Sequence, residues 1–435
     1  MRIAMLAAGS RGDYQPVLAV ARGLQARGHE VGVTATSDYL PMVTGAGVRA
    51  EEVAVDVMGY YRDHALRDGM PTGLLGQMDL LGEVARVMAP AVRETLTDLW
   101  PRYDAVVTTA MSSAWPGLIG GPRKPQVLMM FVAALPSVWG DVSLYSERTG
   151  RSIHNLVSGL RAMGPSARLA TTDGSSTPRE RLRGLTQLAT APAFVANSAQ
   201  IITPRRIGGR QIRSTGYPFL DLPAELGREV AAFLDGGSAP VYVGLGSHTV
   251  PTVRQALAHT VSAALDLGHR AIVQRGSGLE DLEHGDRVLF VDEVPHELLF
   301  PRCVSVVHHG GAGTTAQALR AGRPQVVLPF TMDQPFFARR VHEIGVGSAP
   351  VPITEATPAR LLAALETALD PALTRRARSV GQVVRGEDGV GGAVAVIEAE
   401  LGRQPASPKA ATRRGGQPPR RQRTSPCGVS APPPG

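Results

Sequence analysis

The stretch Val304-Ser305-Val306-Val307-His308-His309-Gly310-Gly311-Ala312-Gly313-Thr314-Thr315 decides how the rest of the 435-residue chain is read. A β-branched run ends in two histidines, three glycines fall within four residues, and an alanine-rich helical pattern follows over 316–321. That order is strand, tight turn, helix. A helix opened this way presents backbone N–H groups without intrahelical partners and the positive end of its dipole. Glycines let a phosphate approach those groups with no Cβ in the way. A threonine hydroxyl at the helix start and an imidazole at the strand end can each reach a phosphate oxygen. The turn therefore suits a diphosphate. The plainer alternative is a capped strand–helix turn, and the two histidines favour a site.

Around this cradle, apolar runs over 240–244, 270–274, 288–290, 304–308 and 325–328 alternate with helical patterns such as 253–267. A similar alternation fills the first part of the chain, with strands over 2–8, 30–35, 48–55, 105–109, 126–131 and 194–196. Pro16 is expected to open the first helix after a loop over 9–15. Both halves fit βαβ units and parallel sheets, so the predicted class is α/β with two doubly wound, Rossmann-like domains facing across a cleft. The expected boundaries are an N-terminal domain over 1–216, a linker over 217–224 and a C-terminal domain over 225–385. A helix over 386–402 and a basic tail over 403–435 follow. Residues 57–100 and 132–190 are less regular, with a polar segment over 171–177.

Composition excludes several classes. No apolar run approaches the roughly 20 residues needed to cross a bilayer. The first eight residues are too short for a signal sequence and are expected as a strand. Cys303 and Cys427 are far apart, with no disulfide framework and no Cys/His metal spacing, which suits the cytoplasm. The net charge of +7 resides in the tail, which holds seven basic residues from Arg403 onward and no acidic ones. The body is formally neutral, so neither nucleic acid nor stable membrane insertion is expected. The tail, rich in Pro, Arg, Gly and Ser, is expected to be disordered and dispensable. Nothing in the sequence sets the oligomeric state.

Two further loops carry polar groups. Gly9-Ser10-Arg11-Gly12-Asp13 follows the first strand, where an open parallel sheet presents its ligand edge. Asp13 there is either a general base or a helix cap. Asp333-Gln334-Pro335 follows the strand after the cradle. It offers a carboxylate and an amide to sugar hydroxyls, or a second helix cap. Ser247, in Leu245-Gly246-Ser247, is a second candidate phosphate contact.

Together these motifs resemble the family-one glycosyltransferases of GT-B fold, in the antibiotic and sterol-type branch. The resemblance rests on Gly9–Asp13 with Pro16, on the His-His-Gly-Gly-Ala-Gly-Thr-Thr run at 308–315, and on Asp-Gln-Pro at 333–335. It is nearly continuous over 241–351 and firm over about the first fifty residues. It implies that Asp13 deprotonates an acceptor hydroxyl, with Ser10 and Gly12 in the active-site loop. It implies that Ser247, His309, Gly311, Gly313 and Thr314 hold the donor diphosphate. Arg275 and Val294 would receive the nucleotide base, and Asp333 and Gln334 the donor sugar. Plant relatives carry a tryptophan near Val294, and this chain does not. The expected chemistry is metal-independent, inverting transfer from a dTDP- or UDP-sugar to a small, largely apolar acceptor, with no cofactor. No Asp-x-Asp motif argues for a metal. A nucleotide-sugar epimerase and a non-catalytic nucleotide-sugar sensor remain as alternatives on the same fold.

Overall fold

The computed structural model describes residues 1–68, 71, 74–119, 123–169, 177, 179, 182, 186, 190–207, 210–246, 251–275 and 285–403. Among them the first half forms a parallel sheet of β1 (Arg2–Leu6), β2 (Glu30–Thr36), β3 (Arg49–Val53), β4 (Ala105–Thr108), β5 (Gln126–Met130) and β6 (Ala193–Val195). The strand order is β3-β2-β1-β4-β5-β6. β4 and β5 are buried at every position, as expected of strands covered on both faces. A short antiparallel hairpin, β7 (Arg205–Ile207) with β8 (Arg210–Ile212), follows; its polar three-residue strands carry no periodic signal. The second half holds β9 (Val241–Gly244), β10 (Ala271–Gln274), β11 (Val288–Val291), β12 (Ser305–His308) and β13 (Gln325–Val327), ordered β11-β10-β9-β12-β13.

In each sheet the chain starts in the middle, runs outward, then returns to the other side of its first strand. The loops after β1 and β4, and after β9 and β12, therefore diverge and leave a crevice at the carboxyl edge. The loop with Asp13 and the glycine cradle each lie at such a switch point.

Helices α1 (Arg11–Ala26), α2 (Leu40–Gly45), α3 (Val57–Asp68), α4 (Leu74–Leu99) and α5 (Ile153–Leu169) accompany the first sheet. The second has α6 (Arg228–Asp235), α7 (Pro251–Asp266), α8 (His296–Leu299), α9 (Ala312–Ala321), α10 (Gln334–Glu343), α11 (Pro358–Leu369) and α12 (Pro371–Arg385). The last helix, α13 (Gly389–Arg403), returns to the first half. Its Ala393, Val394, Ile397 and Leu401 pack in one core with Val17, Val20 and Leu24 of α1. Glu398 accepts from Arg27 at 3.2 Å and pairs with His29 at 3.0 Å. The basic tail from residue 404 lies outside the described residues.

One expectation is corrected. α1 begins at Arg11, so residues 11–15 are helical and Pro16 lies inside the helix. Ser10 supplies the start, with an extended backbone that suits an N-cap. Pro16 has no N–H and costs the helix the bond that Gly12 C=O would have accepted.

The two halves share a hydrophobic cluster that joins Met130, Ile201 and Ile202 to Phe336, Val341 and Val384. Arg339 of α10 donates to the carbonyls of Ser146 at 2.6 Å and Gly140 at 2.8 Å, and Arg340 Nε donates to Ile201 C=O at 2.8 Å. The linker is pinned as well. Arg320 grips Asp221 with bonds of 2.6 and 2.8 Å while its guanidinium lies 4.4 Å from the Phe219 ring centroid.

Candidate active site

In the loop after β1, Asp13 is the third residue of α1. Its carboxylate accepts the Ser10 backbone N–H at 2.7 Å and the Ser10 hydroxyl at 3.0 Å. The Asp13 N–H in turn donates to Ser10 C=O at 2.9 Å. So Asp13 does brace a helix start, as a reach-back partner and not as the N-cap itself. Its charge nevertheless adds to the raised pKa values of Tyr61 in its own half and of Tyr217 and Asp333 on the cradle side. Burial raises the Asp13 pKa, and the two Ser10 donors oppose that rise. Ser10 is exposed and Gly12 half-buried beside it.

In the cradle, the first intrahelical bond of α9 is Thr315 N–H to Gly311 C=O at 3.0 Å. The N–H groups of Ala312, Gly313 and Thr314 precede it, and no side chain caps the helix. Thr315 Oγ1 donates to Gly311 C=O at 2.9 Å, which leaves Thr314 as the half-buried hydroxyl at the helix mouth. A Cβ on Gly311 would come within 2.6 Å of His309 Nε2, so the imidazole lies directly against the helix start. His308 is different. It is buried, its Nδ1 accepts Gly310 N–H at 3.0 Å, and its Nε2 bonds Gln325 Oε1 at 2.8 Å. With Nδ1 as acceptor, the proton is on Nε2. Burial lowers the His308 pKa to about 4, so the ring is neutral and holds the turn. Gly310 has φ +97 and a Cβ there would meet Val327 at 2.8 Å. Only glycine fits.

The loop after β13 abuts this turn. Met332 has φ +55, the one positive φ among the described non-glycine residues. Its N–H donates at 2.9 Å to Oε1 of Gln77, a buried residue of α4. The strained backbone is thus held from the opposite half. Asp333 occupies the N-cap position of α10 but makes no cap hydrogen bond. Burial, and next the charge of Asp13, push its pKa up to about 7. Gln334 Oε1 accepts from Phe330 N–H at 2.7 Å and Thr331 N–H at 3.0 Å, so that oxygen braces the loop and only the amide nitrogen is left for a ligand.

Arg275 directly follows β10 and Val294 lies three residues past the end of β11, the two strands running in register from Ala271 opposite Val288. Arg275 Nη2 donates to Phe290 C=O at 3.3 Å, and Arg11 of α1 pairs with Glu293 beside Val294. Ser247 lies outside the described residues. Sequence reasoning missed Tyr61, Gln77 and Tyr217, all of which line the cleft. Tyr217 stands between Gly216 and Pro218, where turn residues conceal it, and α3 and α4 carry no motif.

Two parallel sheets meeting at their switch points, joined by a linker and a returning helix, define a GT-B fold. The crystal structure of glycosyltransferase VinC in complex with dTDP covers 93% of this chain and all of its own, with a TM-score of 0.64 at 21% identity. The N-terminal domain of glycosyltransferase family 28 matches residues 3–98, and the C-terminal domain of erythromycin biosynthesis protein CIII-like proteins matches residues 257–387. The chain is 32% identical to O-mycaminosyltylonolide 6-deoxyallosyltransferase of Streptomyces fradiae, over 92% of this chain and 97% of that protein. It is 30% identical to sterol 3-beta-glucosyltransferase UGT80A2 of Arabidopsis thaliana, over 91% of this chain and 64% of that longer protein. The chain belongs to the family-one GT-B glycosyltransferases, in the branch that holds antibiotic and sterol glycosyltransferases. No described helix is long and apolar enough to cross a membrane.

Proposed function

We propose that the protein moves a sugar from a dTDP- or UDP-sugar to a hydroxyl of a small, largely apolar natural-product acceptor, with inversion at the anomeric carbon. The observation that carries this reading is the placement of Asp13 and the cradle on opposite sides of one cleft, close enough for the Asp13 charge to act on Asp333. The acceptor oxygen attacks C1 as its proton passes to the Asp13 carboxylate. The C1–O bond to the β-phosphate breaks, and its electron pair stays on the nucleoside diphosphate. The negative charge that grows there meets the N–H groups of Ala312, Gly313 and Thr314, the Thr314 hydroxyl and His309. Those donors supply the stabilisation without calling on a metal. Asp333 and the Gln334 amide hold the sugar, Arg275 and Val294 the base, and Ser247 adds a phosphate contact.

Attack from the Asp13 side, opposite the leaving group, inverts C1. The named relatives, an O-mycaminosyltylonolide 6-deoxyallosyltransferase and a sterol glucosyltransferase, support an apolar acceptor. The site works where nucleotide sugars are made, which fits the cytoplasm. The test is a panel of nucleotide sugars scored by donor hydrolysis, then acceptors against the best donor. Transfer with a dTDP- or UDP-sugar is expected. A panel in which donors bind but no acceptor hydroxyl receives the sugar would point to the sensor alternative.

A further inference from the structure

Tyr217, the first residue of the linker, is held with little freedom. Thr215 N–H donates to Val195 C=O and Gly216 N–H to Asn197 C=O, both at 3.0 Å, and Gly216 turns the chain with φ +87. On the other side Gly389 opens α13 so close to Tyr217 that a Cβ would collide with the Tyr217 carbonyl. The Tyr217 ring packs 5.0 Å from that of Phe219. These contacts fix the backbone and the ring but not the hydroxyl. The residue is only 5% exposed, yet its hydroxyl oxygen is not fully buried and makes no hydrogen bond to any described residue. A tyrosine hydroxyl that stays open beside an otherwise buried ring is available to a ligand. The place it reaches is the cradle. A Cβ on Gly313 would lie 3.1 Å from Tyr217 Oη, so the hydroxyl stands over the first turn of α9. The charges of Asp13 and Asp333 both act on it.

We propose that Tyr217 is a diphosphate-binding residue whose hydroxyl donates a hydrogen bond to the β-phosphate of the donor. The choice of β over α follows from position: the hydroxyl stands between the helix mouth and the two carboxylates that face the transferred sugar. The inference rests on the glycosyl-transfer reading above and extends it to a residue of the linker. Burial first, then the two carboxylates, raise the Tyr217 pKa, so the phenol keeps its proton and serves as a donor. Because the linker joins the halves, the contact also ties donor binding to their relative placement.

The test is Tyr217→Phe in the full chain, titrated calorimetrically with dTDP, UDP, dTMP and UMP. The diphosphate that binds wild type should bind Y217F about tenfold more weakly, as for loss of one hydrogen bond to a charged group. The matching monophosphate should bind within about twofold of wild type, because it lacks the β-phosphate. Y217F should melt at or above the wild-type temperature, since the hydroxyl it removes bonds nothing in the protein. Unchanged diphosphate affinity, equal losses for diphosphate and monophosphate, or a lower melting temperature would each overturn the assignment of Tyr217 alone. If wild type bound none of the four nucleotides, the glycosyl-transfer reading would fall and this inference with it.

Discussion

Asp13 and Asp333 face the same cleft from opposite halves of the molecule, each beside a helix start, and they are held in opposite ways. Asp13 lies inside the first turn of α1 and accepts two hydrogen bonds from Ser10. Asp333 precedes α10 with a helical backbone and makes no cap bond. Burial lifts both pKa values, but the Ser10 donors work against the rise at Asp13, whereas Asp13's own charge adds to it at Asp333. The Ser10 donors favour the charged form that a base needs at Asp13, and the neighbouring negative charge disfavours it at Asp333. Neither exposure nor local sequence distinguishes them; the donors do.

The strongest way to break that comparison is Asp13→Asn. Turnover should fall by roughly a hundredfold or more, the scale of general-base catalysis. Affinity for the free nucleoside diphosphate should stay within about twofold, because Asp13 belongs to the acceptor side. Near-normal transfer by D13N would reduce Asp13 to a brace for α1.

Asp333→Asn sharpens it from the other half. Donor kcat/KM should drop roughly tenfold to a hundredfold, as one hydrogen bond from the sugar to a charged group is lost. The diphosphate without its sugar should bind as before. The same variant carries a pH signature. With a folded pKa raised to about 7, Asp333 binds more protons in the native than in the unfolded state between the ordinary carboxylate range and neutrality. Stability from this group is therefore complete at low pH and is lost as pH rises through about 7. D333N should gain about 1–2 kcal/mol on wild type at pH 8 and nothing at pH 4, in denaturant unfolding at each pH. A gain independent of pH would remove the carboxylate pair from the account.

The smallest effects on the reaction itself concern the two histidines of the cradle. His309→Ala should weaken nucleoside diphosphate binding about tenfold with little change in stability. His308→Ala should do the reverse. It leaves Gly310 N–H and Gln325 without their buried partner, at a cost of about 2–3 kcal/mol in unfolding. Calorimetry and denaturant titration of both variants would reveal equal losses if the two rings shared one role.

Most of the fold was open to sequence reasoning because both parallel sheets announce themselves as apolar runs separated by glycine turns. The cradle was the most readable part: 305–315 lies within one strand, one turn and one helix, so spacing alone places its groups. The start of α1 was misread because Pro16 masked a helix already begun at Arg11. Gln77 and Tyr61 were invisible for a different reason. They come from long helices in the first half, and only tertiary packing brings them to Met332 and Asp13. Gln334 was singled out for the sugar, yet its oxygen is taken by Phe330 and Thr331, a local brace that residue type cannot reveal.

The central claim is that Asp13 and the diphosphate cradle flank the anomeric carbon from opposite faces. The measurement that bears on it most directly is the anomeric configuration of the product, read from the C1 proton coupling in its NMR spectrum. An α-linked dTDP- or UDP-hexose should yield a β-glycoside with wild type, and the same β-glycoside far more slowly with D13N. An α-glycoside would contradict the account, because attack would then come from the side of the leaving group.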